Sequence, residues 1–117
     1  MSSDRSQFFK ALADTTRLRC LVLVVEEGEL CVCELTDALG LSQPKISRHL
    51  AYLREAGLVC VRRQGLWMFY RVREDLPQWC HTVLQTTVQG IRGEVPYAED
   101  LVRLTKVADR PEGACLR

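Results

Sequence analysis

Apolar positions recur along most of the chain at the spacing of one helix face. Ser6 to Ala13 is a short apolar segment. Asp14 then stands at an N-cap position ahead of Leu18, Leu21, Val22 and Val25, and Gly28 closes that helix. A third short helix is predicted over Cys33 to Leu39, with Leu35, Ala38 and Leu39 inward and Gly40 after it. Ser42 caps the next one. Pro44 is tolerated in its first turn because its missing N–H would have no intrahelical acceptor there, and Ile46, Leu50 and Leu53 mark the inward face up to Gly57. The pattern then changes: Leu58 to Arg62 and Trp67 to Val72 are rich in β-branched and aromatic residues and flank the turn Arg63-Gln64-Gly65-Leu66, which predicts a hairpin.

Two helices joined by the tight Gly40-Leu41-Ser42 connection and followed by a hairpin predict a mainly α winged helix-turn-helix. After Pro77 a last amphipathic helix carries the stripe Leu76, Trp79, Cys80, Val83, Leu84, Val88 and Ile91. A core already filled by the earlier helices has little room for this stripe. The N- and C-terminal helices, with Phe8 and Phe9 on the first, are therefore expected to form a homodimer interface, with burial inside the monomer as the plain alternative. The stretch after Tyr97 is polar, with a short turn expected through Leu101 and Leu104. The expected organisation is one DNA-binding and dimerisation domain over residues 1–104 and a flexible tail over 105–117.

Composition narrows the class. The 117 residues, 47% apolar and 26% charged, suit one compact domain, and no apolar run approaches the ~18 residues a membrane span needs. Asp4, Arg5 and Gln7 interrupt the first ten residues, so no signal peptide is expected and the location is cytoplasmic. In that compartment the six cysteines are expected to be reduced and do not form a disulfide framework. Net charge is only +1, yet it is unevenly spread: Lys45, Arg48, Arg54, Arg62, Arg63, Arg71 and Arg73 face Glu55 alone between Gln43 and Arg73. One surface is basic on a nearly neutral protein.

On the helix opened by Ser42, residues Lys45, Arg48, His49 and Tyr52 fall on one stripe, with Gln43 and Ser47 toward the same side. These side chains suit base edges and phosphates, and the helix N-terminus adds free N–H groups for a phosphate. Arg62, Arg63, Gln64 and Gly65 on the hairpin suit a wing lying on the sugar–phosphate backbone or entering the minor groove. A solvated polar face and soluble sheet-edge arginines are the plain alternatives; the tight turn before the helix and the basic hairpin after it favour double-stranded DNA as partner.

Phe8-Phe9-Lys10-Ala11-Leu12-Ala13-Asp14-Thr15-Thr16-Arg17-Leu18, Glu29-Leu30-Cys31-Val32-Cys33-Glu34-Leu35 and Leu41-Ser42-Gln43-Pro44-Lys45-Ile46-Ser47-Arg48-His49-Leu50 resemble the ArsR/SmtB family of metal-responsive repressors, over about Phe8 to Trp79. The resemblance implies a dimer that binds operator DNA without metal and releases it on binding inducer. Cys31-Val32-Cys33 is similar to the arsenic- and antimony-responsive branch, which implies As(III) as inducer, with Sb(III) or a methylated trivalent arsenical beside it and no permanent cofactor. That branch often has a third cysteine three residues further on, where this chain has Thr36.

Thiolates are soft donors that prefer a trivalent metalloid or soft divalent ion, so Cys31 and Cys33 are the candidate ligands. Residues two apart on a regular helix point about 200° away from each other, so the pair cannot chelate from an undisturbed helix. Either Cys31 lies in the loop before the helix or binding unwinds the first turn. A third bond then comes from an external thiol, an organic substituent on arsenic, or Cys115. A zinc- or cadmium-responsive and a thiol-redox repressor are the nearest alternatives. An enzyme is not expected: the only histidines are His49 and His81, and no base stands beside a cysteine nucleophile.

Overall fold

The computed structural model describes residues 5–108. Its elements in chain order are α1 (Arg5–Leu12), α2 (Thr15–Glu27), β1 (Leu30–Cys31), α3 (Val32–Leu39), α4 (Gln43–Glu55), β2 (Val59–Gln64), β3 (Trp67–Val72), α5 (Gln78–Ile91) and α6 (Tyr97–Ala108). This is a mainly helical winged helix-turn-helix. Asp14 caps α2 as expected, its side chain accepting from the Arg17 N–H at 3.0 Å. Gly40 ends α3 in the left-handed region at φ 68°, a conformation that a side chain disfavours and that turns the chain sharply into α4.

The central element is α2. Cys20, Leu21, Val22, Leu23 and Val24 are all buried, because α2 meets α4, α5, α6 and β3 on different sides. A helix covered on several faces reads as apolar nearly all round in its middle. Leu35, Ile46, Leu50, Leu53 and Leu58 complete the core around it. Each such leucine, fully buried, contributes about 1.5–3 kcal/mol of transfer free energy.

Four expectations need correction. The hairpin pairs Gln64 with Trp67, so Arg63 and Gln64 belong to β2 and the loop is only Gly65-Leu66, with Gly65 at φ 64°. Leu30–Cys31 is a third strand, paired to β3 as Leu30 with Tyr70 and Cys31 with Phe69, in the order β1-β3-β2. Two residues carry no alternation to read, and the partner lies some forty positions away. On α5, Cys80, Leu84 and Val88 are buried within the protomer against α2 and do not wait for a second chain. Lastly, the expected short turn after Tyr97 is the twelve-residue helix α6, which runs past residue 104 to Ala108. Its buried face includes Tyr97, Asp100, Leu104 and Val107, and the charge at Asp100 broke the apolar pattern.

Candidate functional site

Cys31 is the N-cap of α3, with extended backbone (φ −90°, ψ 164°), and Cys33 is in the first helical turn. Because Cys31 lies off the helix, the 200° argument does not apply to it. The two Sγ atoms are 3.3 Å apart. Two sulfurs each about 2.3 Å from a shared ion stand about 3.3–3.8 Å apart for bond angles between 90° and tetrahedral. The pair therefore fits one ion, at the narrow angle natural to a pyramidal trivalent centre, without unwinding the helix. The Cys31 N–H donates to Glu34 Oε1 at 2.9 Å, which fixes the first turn, and the positive end of the α3 dipole favours an anionic sulfur there.

The other ligand candidates separate clearly. Thr36 Oγ1 donates to the Val32 carbonyl at 2.9 Å, so its hydroxyl is committed to its own helix. Burial pushes the Cys20 thiol up to about 12 and also raises that of Cys80, which keeps both neutral and poor as ligands. Cys60 is half-buried on β2, paired with Arg71. Cys115 lies outside the described residues. Among the described residues no group of three or more His, Cys, Asp or Glu side chains is arranged to hold a metal ion.

The site touches both α4 and the hairpin of β2 and β3. α3 packs on α4, and β1 makes Cys31 part of the wing sheet. Cys31 pairs with Phe69 and Phe69 with Arg62, so the three form one row across the sheet. This second connection was not legible in the sequence.

On α4, Ser42 caps the helix, its hydroxyl accepting from the Lys45 N–H at 3.4 Å. Gln43, Lys45 and Arg48 are exposed beside it, and Ser47 is half-buried. His49 and Tyr52 do not share that exposure. They turn toward the start of α2: His49 Nδ1 lies 3.8 Å from Asp14 Oδ2, and the Arg17 guanidinium sits 3.9 Å above the Tyr52 ring. Loss of water around His49 outweighs the Asp14 charge and holds its imidazole below the usual histidine value, favouring the neutral form. On the wing, Arg63, Gln64 and Gly65 are exposed. Arg62 is held from two sides, forked onto Glu29 at 2.8 and 2.9 Å and stacked over Phe69 at 4.6 Å.

Residues 14–61 match the family model described as bacterial regulatory protein, arsR family. The chain is 51% identical over 104 residues to the arsenic resistance transcriptional regulator ArsR1 of Pseudomonas putida, covering 89% of this chain and 80% of that one. This chain belongs to the ArsR family. An arsenical resistance operon repressor of Escherichia coli K12 is 55% identical over 78 residues, 67% of each chain. In structure, the ArsR-family chain superposes on the AntR antimony-specific transcriptional repressor with a TM-score of 0.61 at 29% identity, over 74% of this chain and 75% of the other. As an ArsR-family protein it is a transcription regulator with a DNA-binding helix-turn-helix, not an enzyme, and no helix among the described residues is long and apolar enough to cross a membrane.

Some residues that shape these surfaces are not marked in the sequence. Glu29 holds Arg62 and Asp100 holds Arg19, both partners far away in the chain, and Asp100 also holds Arg103 one turn on in its own helix. Leu66, 86% exposed at the wing tip, was read only as part of the turn.

Proposed function

We propose that this ArsR-family protein is a metalloid-responsive repressor that binds operator DNA as a homodimer and releases it when trivalent arsenic binds Cys31 and Cys33. The observation that carries the reading is the 3.3 Å approach of the two Sγ atoms at the first turn of the helix packed against α4. Arsenite fits by exchange: each thiol proton leaves with one arsenic-bound hydroxide as water, an As–S bond replaces an As–O bond, and no electron is transferred. Antimonite reacts in the same way. A monomethylated trivalent arsenical also fits, because two protein sulfurs leave one bond for the methyl group. With arsenite that third bond goes to hydroxide or an external thiol.

Operator contact is assigned to Ser42, Gln43, Lys45, Ser47 and Arg48 on α4 and to Arg63, Gln64 and Gly65 on the wing. His49 and Tyr52 support this surface from behind, and Arg62, exposed but forked onto Glu29, is held back from it. The dimer is assigned to the exposed aromatic group of Phe9, 49% exposed, and Trp79, 42% exposed, stacked with each other at 6.0 Å and set on the buried Phe8. Two recognition helices would then meet successive major grooves about 34 Å apart.

The test is fluorescence anisotropy of labelled operator DNA titrated with arsenite, antimonite, cadmium and zinc. Release by the two trivalent metalloids at concentrations that leave zinc without effect supports the reading. Release by zinc alone contradicts it.

A further inference from the structure

The end of α3 opposite the cysteines is held by an arrangement that the proposed operator and metalloid contacts do not use. Asp100 on α6 is fully buried. Arg19 of α2 donates to it twice, Nε to Oδ2 and Nη2 to Oδ1, each at 2.8 Å, and Arg103 Nη2 donates to Oδ1 at 2.6 Å. The same two guanidiniums reach on to α3. Arg19 Nη2 donates to the Leu39 carbonyl at 3.1 Å and Arg103 Nε to the Ala38 carbonyl at 2.6 Å. Ala38 and Leu39 are the last residues of α3, whose carbonyls have no partner within the helix, and their negative dipole end favours cations.

A helix end needs far less than this for satisfaction. The Gly40 N–H already returns to the Thr36 carbonyl, and solvent can serve the rest. Here a buried carboxylate orients two forks so that the joint between α3 and α4 is tied at once to α2 and α6. α3 spans only about 10 Å from the cysteine end to this joint, too short to bend. With its far end fixed, a change at Cys31 and Cys33 cannot be absorbed by sliding α3 along its axis. It turns the helix about the joint, and α4 begins three residues later.

We infer that Asp100, through Arg19 and Arg103, is the positioning residue that couples inducer binding at Cys31 and Cys33 to the recognition helix. This rests on the metalloid reading above. Without the clamp, inducer still binds but α3 moves without carrying α4.

The experiment measures operator Kd with and without saturating arsenite for the wild-type protein, Asp100→Asn and Arg103→Gln, with arsenite binding to the free protein followed by equilibrium dialysis in thiol-free buffer. Wild type is expected to lose operator affinity about 100-fold on binding arsenite. In Arg103→Gln, where the change is at a half-exposed side chain, the ratio is expected to fall below about tenfold with arsenite affinity within about threefold of wild type. Asp100→Asn gives the same loss wherever circular dichroism shows it folded. Because coupling is reciprocal, operator should weaken arsenite binding in wild type and scarcely in the variants. A merely structural role would lower thermal stability and leave the ratio of the two Kd values unchanged; that result in Arg103→Gln overturns the inference. A wild-type protein that binds no arsenite overturns the metalloid reading and the coupling with it, whereas wild-type release retained in full by both variants overturns the coupling alone.

Discussion

The recognition helix and the wing carry similar positive charge in the sequence and hold it in different surroundings. Lys45 and Arg48 on α4 stand exposed, and neither makes a salt bridge among the described residues. On the hairpin, Arg62 is forked onto Glu29, Arg71 lies 3.5 Å from Glu74 and 4.0 Å from Glu29, and Arg73 lies 2.7 Å from Asp75. Of the wing arginines Arg63 alone makes no ion pair among the described residues. A guanidinium already paired must give up its carboxylate to meet a phosphate, so its net gain from DNA is smaller. A count of basic residues therefore overstates the wing and understates α4.

The largest effect that would test this contrast is at Arg48. Arg48→Ala is expected to weaken operator binding about 10- to 100-fold and leave arsenite binding intact, as a lost base or phosphate contact of about 1–3 kcal/mol requires. Arg62→Ala should cost no more than about threefold by the same anisotropy measurement; equal losses in the two variants would erase the distinction.

A smaller change of opposite sign is expected at Glu29. Its carboxyl is held below the usual glutamate value by the hydrogen bond from Arg62, with the Arg62 and Arg71 charges adding to it, so the pairing is intact at neutral pH. Glu29→Gln frees Arg62, while Arg71 keeps Glu74, and should tighten operator binding a few-fold, steepening the salt dependence by about one phosphate contact. Affinity and salt slope that both stay at wild-type values would mean that Arg62 faces away from DNA.

The smallest effect is a pH dependence at His49. Its folded value lies below the ordinary 6.5 because burial disfavours the charged form. The unfolded chain therefore takes up the proton first on acidification: stability is full above 6.5 and is lost as pH falls through the lower folded value. Thermal midpoints should drop between pH 7 and pH 5 more in wild type than in His49→Gln, and identical drops would remove His49 as the cause.

Sequence reading reached the elements whose signal is local. Asp14, Ser42 and Gly40 mark helix ends by their own chemistry, and Ile46, Leu50 and Leu53 mark a face by spacing. It singled out the cysteine pair through donor softness, although the pair's geometry depended on an N-cap position that could not be read within one residue. What it missed depends on distant partners. β1 exists because β3 offers it an edge, α6 presents a charge inward because Arg19 of α2 meets it there, and half of the α5 stripe is covered by α2. His49 and Tyr52 shared a stripe with Arg48 on paper, but the start of α2 lies over that part of α4.

The account depends most on Cys31 and Cys33 acting as one site. X-ray absorption on arsenite-loaded protein in thiol-free buffer, with operator release measured on the same samples, tests this directly. Two sulfur neighbours and one oxygen are predicted at arsenic in the wild-type protein. Cys31→Ser and Cys33→Ser should each lose release while binding operator normally. Wild-type release by arsenite in Cys31→Ser, with the sulfur count unchanged, would contradict the account.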